Sequence, residues 1–185
     1  MRTCVLGALL STNLFGSIMY YSADLNGSNE NPPNASTGTG TALVTIDTVL
    51  QTMRVQVSFS GLLGTTTASH IHCCIAAPGN VGVATTTPTF AGFPLGVTSG
   101  TYDNTLDLTL ASSYNPAFVT THGGTLALAE FALLTGLDVG QAYLNIHTTF
   151  RPGGEIRGFL IPEPATWGLV GVALAAIGLR RRKRR

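Results

Sequence analysis

A strict two-residue alternation confines this chain more than any other feature. In "MRVQVSFSGL", starting at Met53, Val55, Val57 and Phe59 fall on one side of a strand and Arg54, Gln56 and Ser58 on the other. "TALVTID", starting at Thr41, repeats the pattern, and Thr48 to Thr52 are enough to join the two stretches as a hairpin. Strands with one apolar and one polar face make an antiparallel sheet that is packed on one side and wet on the other. Alternation returns in "TYDNTLDLTL", with Leu106, Leu108 and Leu110 together, and "QAYLNIHTTF" and "GEIRGFLI" form a last hairpin closed by Arg151 to Gly154. Between these stretches, Ala76 to Gly100 is too rich in Pro, Gly and Thr for regular strand. "TLALAEFALLTGLDVGQ" is too densely apolar to alternate, so one helix is expected from Thr125 to Thr135, stopped by Gly136. The expected fold is all-β: an antiparallel, Greek-key-like β-sandwich with one or two short helices, a single domain within 185 residues.

The two ends depart from this pattern. Arg2 followed by "CVLGALLSTNLFGSIM" reads as a secretory signal over residues 1–21, with the nearest cleavage context at "YSA" around Ala23. A buried N-terminal strand or helix is the alternative. Cys4 lacks the context of a lipoprotein acceptor. At the other end, "IPEPATWGLVGVALAAIGLRRRKRR" combines a Pro-Glu-Pro turn, an apolar helix from Ala165 to Leu179 and a basic cluster. Fifteen helical residues rise about 22 Å against a hydrocarbon core of about 30 Å, so spanning as a transmembrane helix relies on Trp167 and the arginines at its ends. The basic cluster belongs on the cytoplasmic side.

Six of the ten basic residues lie in Arg180 to Arg185. From Ser22 to Pro162 three basic residues face eight acidic ones, a net charge of −5. Nucleic-acid binding needs clustered Lys and Arg to neutralise phosphates, so that function is excluded.

The three-part tail resembles the PEP-CTERM sorting signal of Gram-negative bacteria. The resemblance implies that Pro162, Glu163 and Pro164 are read by an exosortase at the inner membrane. It also implies export through a transient membrane anchor to the outer surface or the extracellular matrix. The expected organisation is therefore a signal at 1–21, a body at 22–161 and a sorting signal at 162–185.

Chemistry-bearing side chains are few. Strand residues two apart point the same way, so His70 and His72 in "SHIHCC" share a face, and Cys74 joins them if the strand continues. Such a set can reach one copper or zinc ion, and His147 supplies a third imidazole if the last hairpin lies alongside. By the same spacing Asn145 goes with His147, and Glu155 goes with Arg157. Three readings stay open. His70, His72, His147, Glu155 and Arg157 form a hydrogen-bonded polar cluster that fixes strand register; or the histidines bind copper or zinc; or Cys73 and Cys74 do thiol chemistry. Adjacent Cα atoms lie about 3.8 Å apart across a trans peptide, below the usual disulfide range, so a Cys73–Cys74 bond calls for a distorted or cis peptide. His122, in "THGG", is expected as a solvated turn residue, and the sequon asparagines Asn26 and Asn34 as ordinary turn residues. No nucleophile elbow, phosphate loop or recognisable carboxylate pair appears, so no enzyme is expected.

"LNGSNENPPNASTGTGTALV", "ASHIHCC" and "GQAYLNIHTTFRPGGEIRGFL" resemble the CHRD domain, named for its occurrence in chordin and also found alone in bacterial exported proteins. The matching positions are Glu30, Pro32 and Pro33, then His70 and His72, and then Tyr143, Asn145, His147, Thr148, Gly153, Gly154, Glu155, Arg157 and Gly158. Cys73 and Cys74 stand where a glycine often follows in the family. The resemblance implies a β-rich extracellular module. The role expected for this chain is that of a structural or binding module of the cell envelope or extracellular matrix, with matrix components as partners.

Overall fold

The alternating stretches pair edge to edge. In a computed structural model, which describes residues 18–163, β1 (Ile18–Asn26), β2 (Thr39–Asp47) and β3 (Thr52–Ser60) run in unbroken antiparallel register, Ile18 opposite Asp47 and Asp47 opposite Thr52. Val44, Ile46, Met53 and Val55 are fully buried, while Arg54 reaches the exposed Asp103 with two hydrogen bonds. Five further strands complete the sheet: β4 (Thr66–Cys73), β5 (Gly100–Asp107), β6 (Ala142–Thr148), β7 (Ile156–Phe159) and the two-residue β8 (Ile161–Pro162). The strand order is β4-β6-β7-β1-β2-β3-β5, with β8 added on β1. This is the all-β antiparallel class with short helices, built as one sheet path that curls round a single apolar cluster drawn from both of its ends.

Two features fill the curl. The irregular segment from Ala76 to Ser99 lies along the outer edge of β4. The N–H groups of Ala84, Phe90 and Gly96 donate to the carbonyls of Ile71, Ser69 and Thr66, each at 2.9 Å. Phe90 and Phe93 drop from it into the core, Phe90 stacking on Tyr102. The second feature is a helical pair, α1 (Pro116–Thr121) and α2 (Leu126–Asp138). Asn115 caps the first, with Pro116 as its opening residue, and the Thr125 hydroxyl accepts from Leu128 N–H at the start of the second. The helix therefore runs beyond the expected stop. Gly136 is buried inside it because a side chain there would strike the sulfurs of Cys73 and Cys74, and the chain leaves the helix at Gly140, where φ is +66°.

At the N-terminus, Ile18 to Tyr21 belong to β1, inside the span expected for the leader. Tyr21 is 1 % exposed, and its hydroxyl donates to Asp138 at 2.5 Å. No helix among the described residues is long and apolar enough to cross a membrane. The expected transmembrane helix, the basic cluster, Pro164 and residues 1–17 lie outside the described residues.

Candidate metal centre

Register carries the distant residues together. His70 on β4 pairs with Asn145 on β6, which pairs with Arg157 on β7, which pairs with Asn26 on β1. The adjacent rows on the same face hold His72, Tyr143 and Phe159 in one direction, and Ala68 with His147 in the other. One sheet face therefore carries all three imidazoles next to a polar row, and their candidate ligand atoms all lie within 4.8 Å of one another.

Each ring is held from behind by a backbone carbonyl. His70 Nδ1 lies 3.1 Å from Pro88 O, His72 Nδ1 2.7 Å from Val81 O, and His147 Nδ1 2.8 Å from Pro152 O. A carbonyl only accepts, so each Nδ1 carries the proton and each Nε2 of a neutral ring presents a lone pair. The Nε2 atoms of His70 and His147 are 2.9 Å apart, and buried His72 Nε2 has no hydrogen-bond partner. Burial lowers all three rings: His70 to about 3, with His147 and His72 adding repulsion, and His72 to about 4, partly opposed by its bond to Val81; His147 is also lowered. These imidazoles are neutral at neutral pH, so two lone pairs face each other with no proton to share between them. A cation satisfies that arrangement. Metal–nitrogen bonds of about 2.0–2.1 Å put tetrahedral neighbours about 3.3 Å apart, close to the 2.9 Å between the Nε2 atoms of His70 and His147.

Cys74 does not join them. It is disulfide-bonded to Cys73 across a cis peptide, and the pair packs against α2 at Ala132 and Gly136. A disulfide sulfur offers no thiolate, so both the cysteine ligand and the thiol crosslink are corrected.

The polar cluster divides in two. Glu155 precedes β7 and turns away from Arg157; its buried carboxylate accepts from Leu63 N–H, Gly64 N–H, Ser36 Oγ and Thr148 Oγ1, tying three loops to the end of β6. Burial alone would raise this carboxyl, but the four hydrogen bonds outweigh it and hold it below the usual carboxylate range. Arg157, 1 % exposed, lies over Tyr143 at 4.6 Å and donates to Asn29 O, Pro78 O, Gly79 O and Asn80 Oδ1. Its carboxylate neighbour is Glu30, 3.8 Å away. Burial pushes Glu30 up to about 7, against the pull of Arg157 and Asn145. By gripping residues 78–80, Arg157 fixes the segment whose next carbonyl, Val81 O, holds His72. Spacing could not reveal Glu30 as Arg157's partner, because well over a hundred residues separate them.

The remaining candidates lie elsewhere. His122 ends α1 with its ring 4.1 Å from that of Phe118. The Asn26 side chain accepts from Asn29 N–H, and Asn34 Nδ2 donates to Glu155 O. Pro162 lies in β8 opposite Tyr21, Glu163 N–H donates to Tyr20 O at 2.8 Å, and Ser22 Oγ donates to the Glu163 carboxylate.

A curled antiparallel sheet carrying a three-imidazole face, its last strand ending at Pro162, defines an all-β domain. The CHRD domain matches residues 21–160, so the chain belongs to the CHRD-domain family. The PEP-CTERM protein-sorting motif matches residues 160–183 and marks the chain for exosortase, with export through a membrane-anchored stage. Neither the curated proteins nor the solved structures contain a match.

Proposed function

We propose that this protein is a non-enzymatic module of the cell envelope or extracellular matrix that binds one copper or zinc ion through His70, His72 and His147. One observation carries the reading: three imidazoles bring ligand atoms within 4.8 Å of one another, and the Nε2 atoms of His70 and His147 face each other while every Nδ1 proton is spoken for by a carbonyl. A cluster serving only to fix strand register would put a donor against an acceptor, whereas His70 and His147 present two acceptors to each other. Nitrogen-only donors suit zinc and both copper states, and the carbonyl-held rings need little reorganisation to bind.

Purified protein loaded with copper or zinc and then desalted should retain about one equivalent of metal per chain, in keeping with a single three-ligand site. X-ray absorption at the metal edge should show imidazole nitrogen and no sulfur. His72→Ala should lower metal affinity at least about tenfold. Retention near background by the wild-type protein, with the fold intact by circular dichroism, would refute the proposal.

A further inference from the structure

A group of exposed apolar side chains gathers at one pole, and the first and last described residues, Ile18 and Glu163, both lie there. Tyr20, Val49, Leu50, Phe131, Val139 and Ile161 are each 48–69 % exposed. Tyr20 shares an outer sheet face with Ile18, and its carbonyl bonds Glu163 N–H. Val49 and Leu50 form the β2–β3 turn, beside the strand end where Ile18 pairs with Asp47. Helix α2 crosses this same end: Gln51 donates to Glu130 next to Phe131, Tyr21 donates to Asp138 next to Val139, and Ile161 lies against Gly140. Moving across the outer face from Tyr20, the paired residues turn polar: Thr45, Arg54 and Thr105. Exposed apolar side chains elsewhere, such as Leu63, Leu95 and Phe150, lie far from both described chain ends.

Chain length decides what covers it. Glu163, the last described residue, is bonded to the sheet, and Trp167 is four residues later within the apolar run that reaches Leu179. Four residues span at most about 14 Å, no more than the radius of gyration of a body this size, about 15 Å. On the neighbouring strand, Ile18 directly follows the apolar residues that start at Cys4. A C-terminal segment held in a bilayer leaves the domain no room to stand away from it.

We infer that this pole is a membrane-contact surface that lies on the lipid headgroup and upper acyl region during the anchored stage of sorting. Its charged groups include Asp47, Glu130, Asp138 and Glu163. The matching surface is therefore an uncharged bilayer bound through apolar contact, and anionic lipid should add nothing. This inference rests on the membrane-anchored stage and is independent of metal binding.

The test uses the full chain with Trp167→Phe, which removes the single tryptophan. Phe131→Trp then reports from the pole and Phe150→Trp from the β6–β7 turn at the other end. Each protein is reconstituted into phosphatidylcholine vesicles with brominated acyl chains, and bound protein is recovered by flotation. Fluorescence of the Phe131→Trp protein should be quenched at least twofold more than that of the Phe150→Trp protein. Equal quenching in floated protein would overturn the inference, and so would failure of the chain to float. A Phe131→Trp signal buried to the same degree in lipid-free protein would point to a second copy on the pole and would equally overturn it.

Discussion

Single positions here do work that their side chains, or lack of one, explain directly. Gly136 leaves room in α2 for the Cys73–Cys74 disulfide, and a methyl group would meet both sulfurs. Gly136→Ala should cost about 1–3 kcal/mol through overpacking, despite alanine's better helix propensity. Chemical denaturation would measure it, and the cost should largely vanish when both cysteines are replaced by alanine, a coupling that a double-mutant cycle isolates. At this scale the imidazole pair was legible: period two on a strand fixes that His70 and His72 point together. The separate fates of Glu155 and Arg157 were not. They share a face only if the strand already includes Glu155, but β7 begins at Ile156, and Glu155 is claimed by donors from residues 36, 63 and 64.

Elements are bound by pairings that set what can be trimmed. β1 is an interior strand, bonded to β2 on one side and to β7 and β8 on the other, and the buried Tyr21 lies in its first half. A mature protein that began at Asp24 would lose Tyr21, its bond to Asp138, and the partner residues of β8. We expect the native N-terminus at or before Ile18. Terminal sequencing of exported protein would check this, and a protein beginning at Asp24 should be destabilised by about 3–5 kcal/mol, as for deletion of a core aromatic. Alternation identified the strands because each has one dry and one wet face. It missed α1, which is only six residues long and starts at a proline, and it placed the stop of α2 too early because a glycine that makes room for a neighbour reads the same as one that ends a helix.

The whole molecule has two differently equipped regions. Along β1, eight residues separate the apolar end at Ile18 from the row that joins Asn26 to His70, about 26 Å at the rise of a strand. A domain lying on lipid by its apolar pole therefore presents the imidazoles away from the bilayer. Proton linkage should show in the stability of the metal-free protein. His70, His72 and His147 are lowered in the fold, so the unfolded chain takes up more protons, and stability present above about 6.5 is lost as pH falls, through about 4 for His72 and about 3 for His70. Glu30, raised to about 7, acts in the opposite sense between 7 and its unfolded value of 4.5. Three imidazoles outweigh one carboxyl, so the net effect of acidification from pH 7 to pH 4 is a loss of stability. Urea midpoints of metal-free protein at pH 7, 5 and 4 would record it, and a midpoint no lower at pH 4 than at pH 5 would contradict the linkage. The segment from Ala76 to Ser99 has a consequence of its own. By occupying the hydrogen-bonding groups of β4, it leaves no template there on which the strand of another molecule could dock, so the domain is shielded along that margin from fibrous self-assembly.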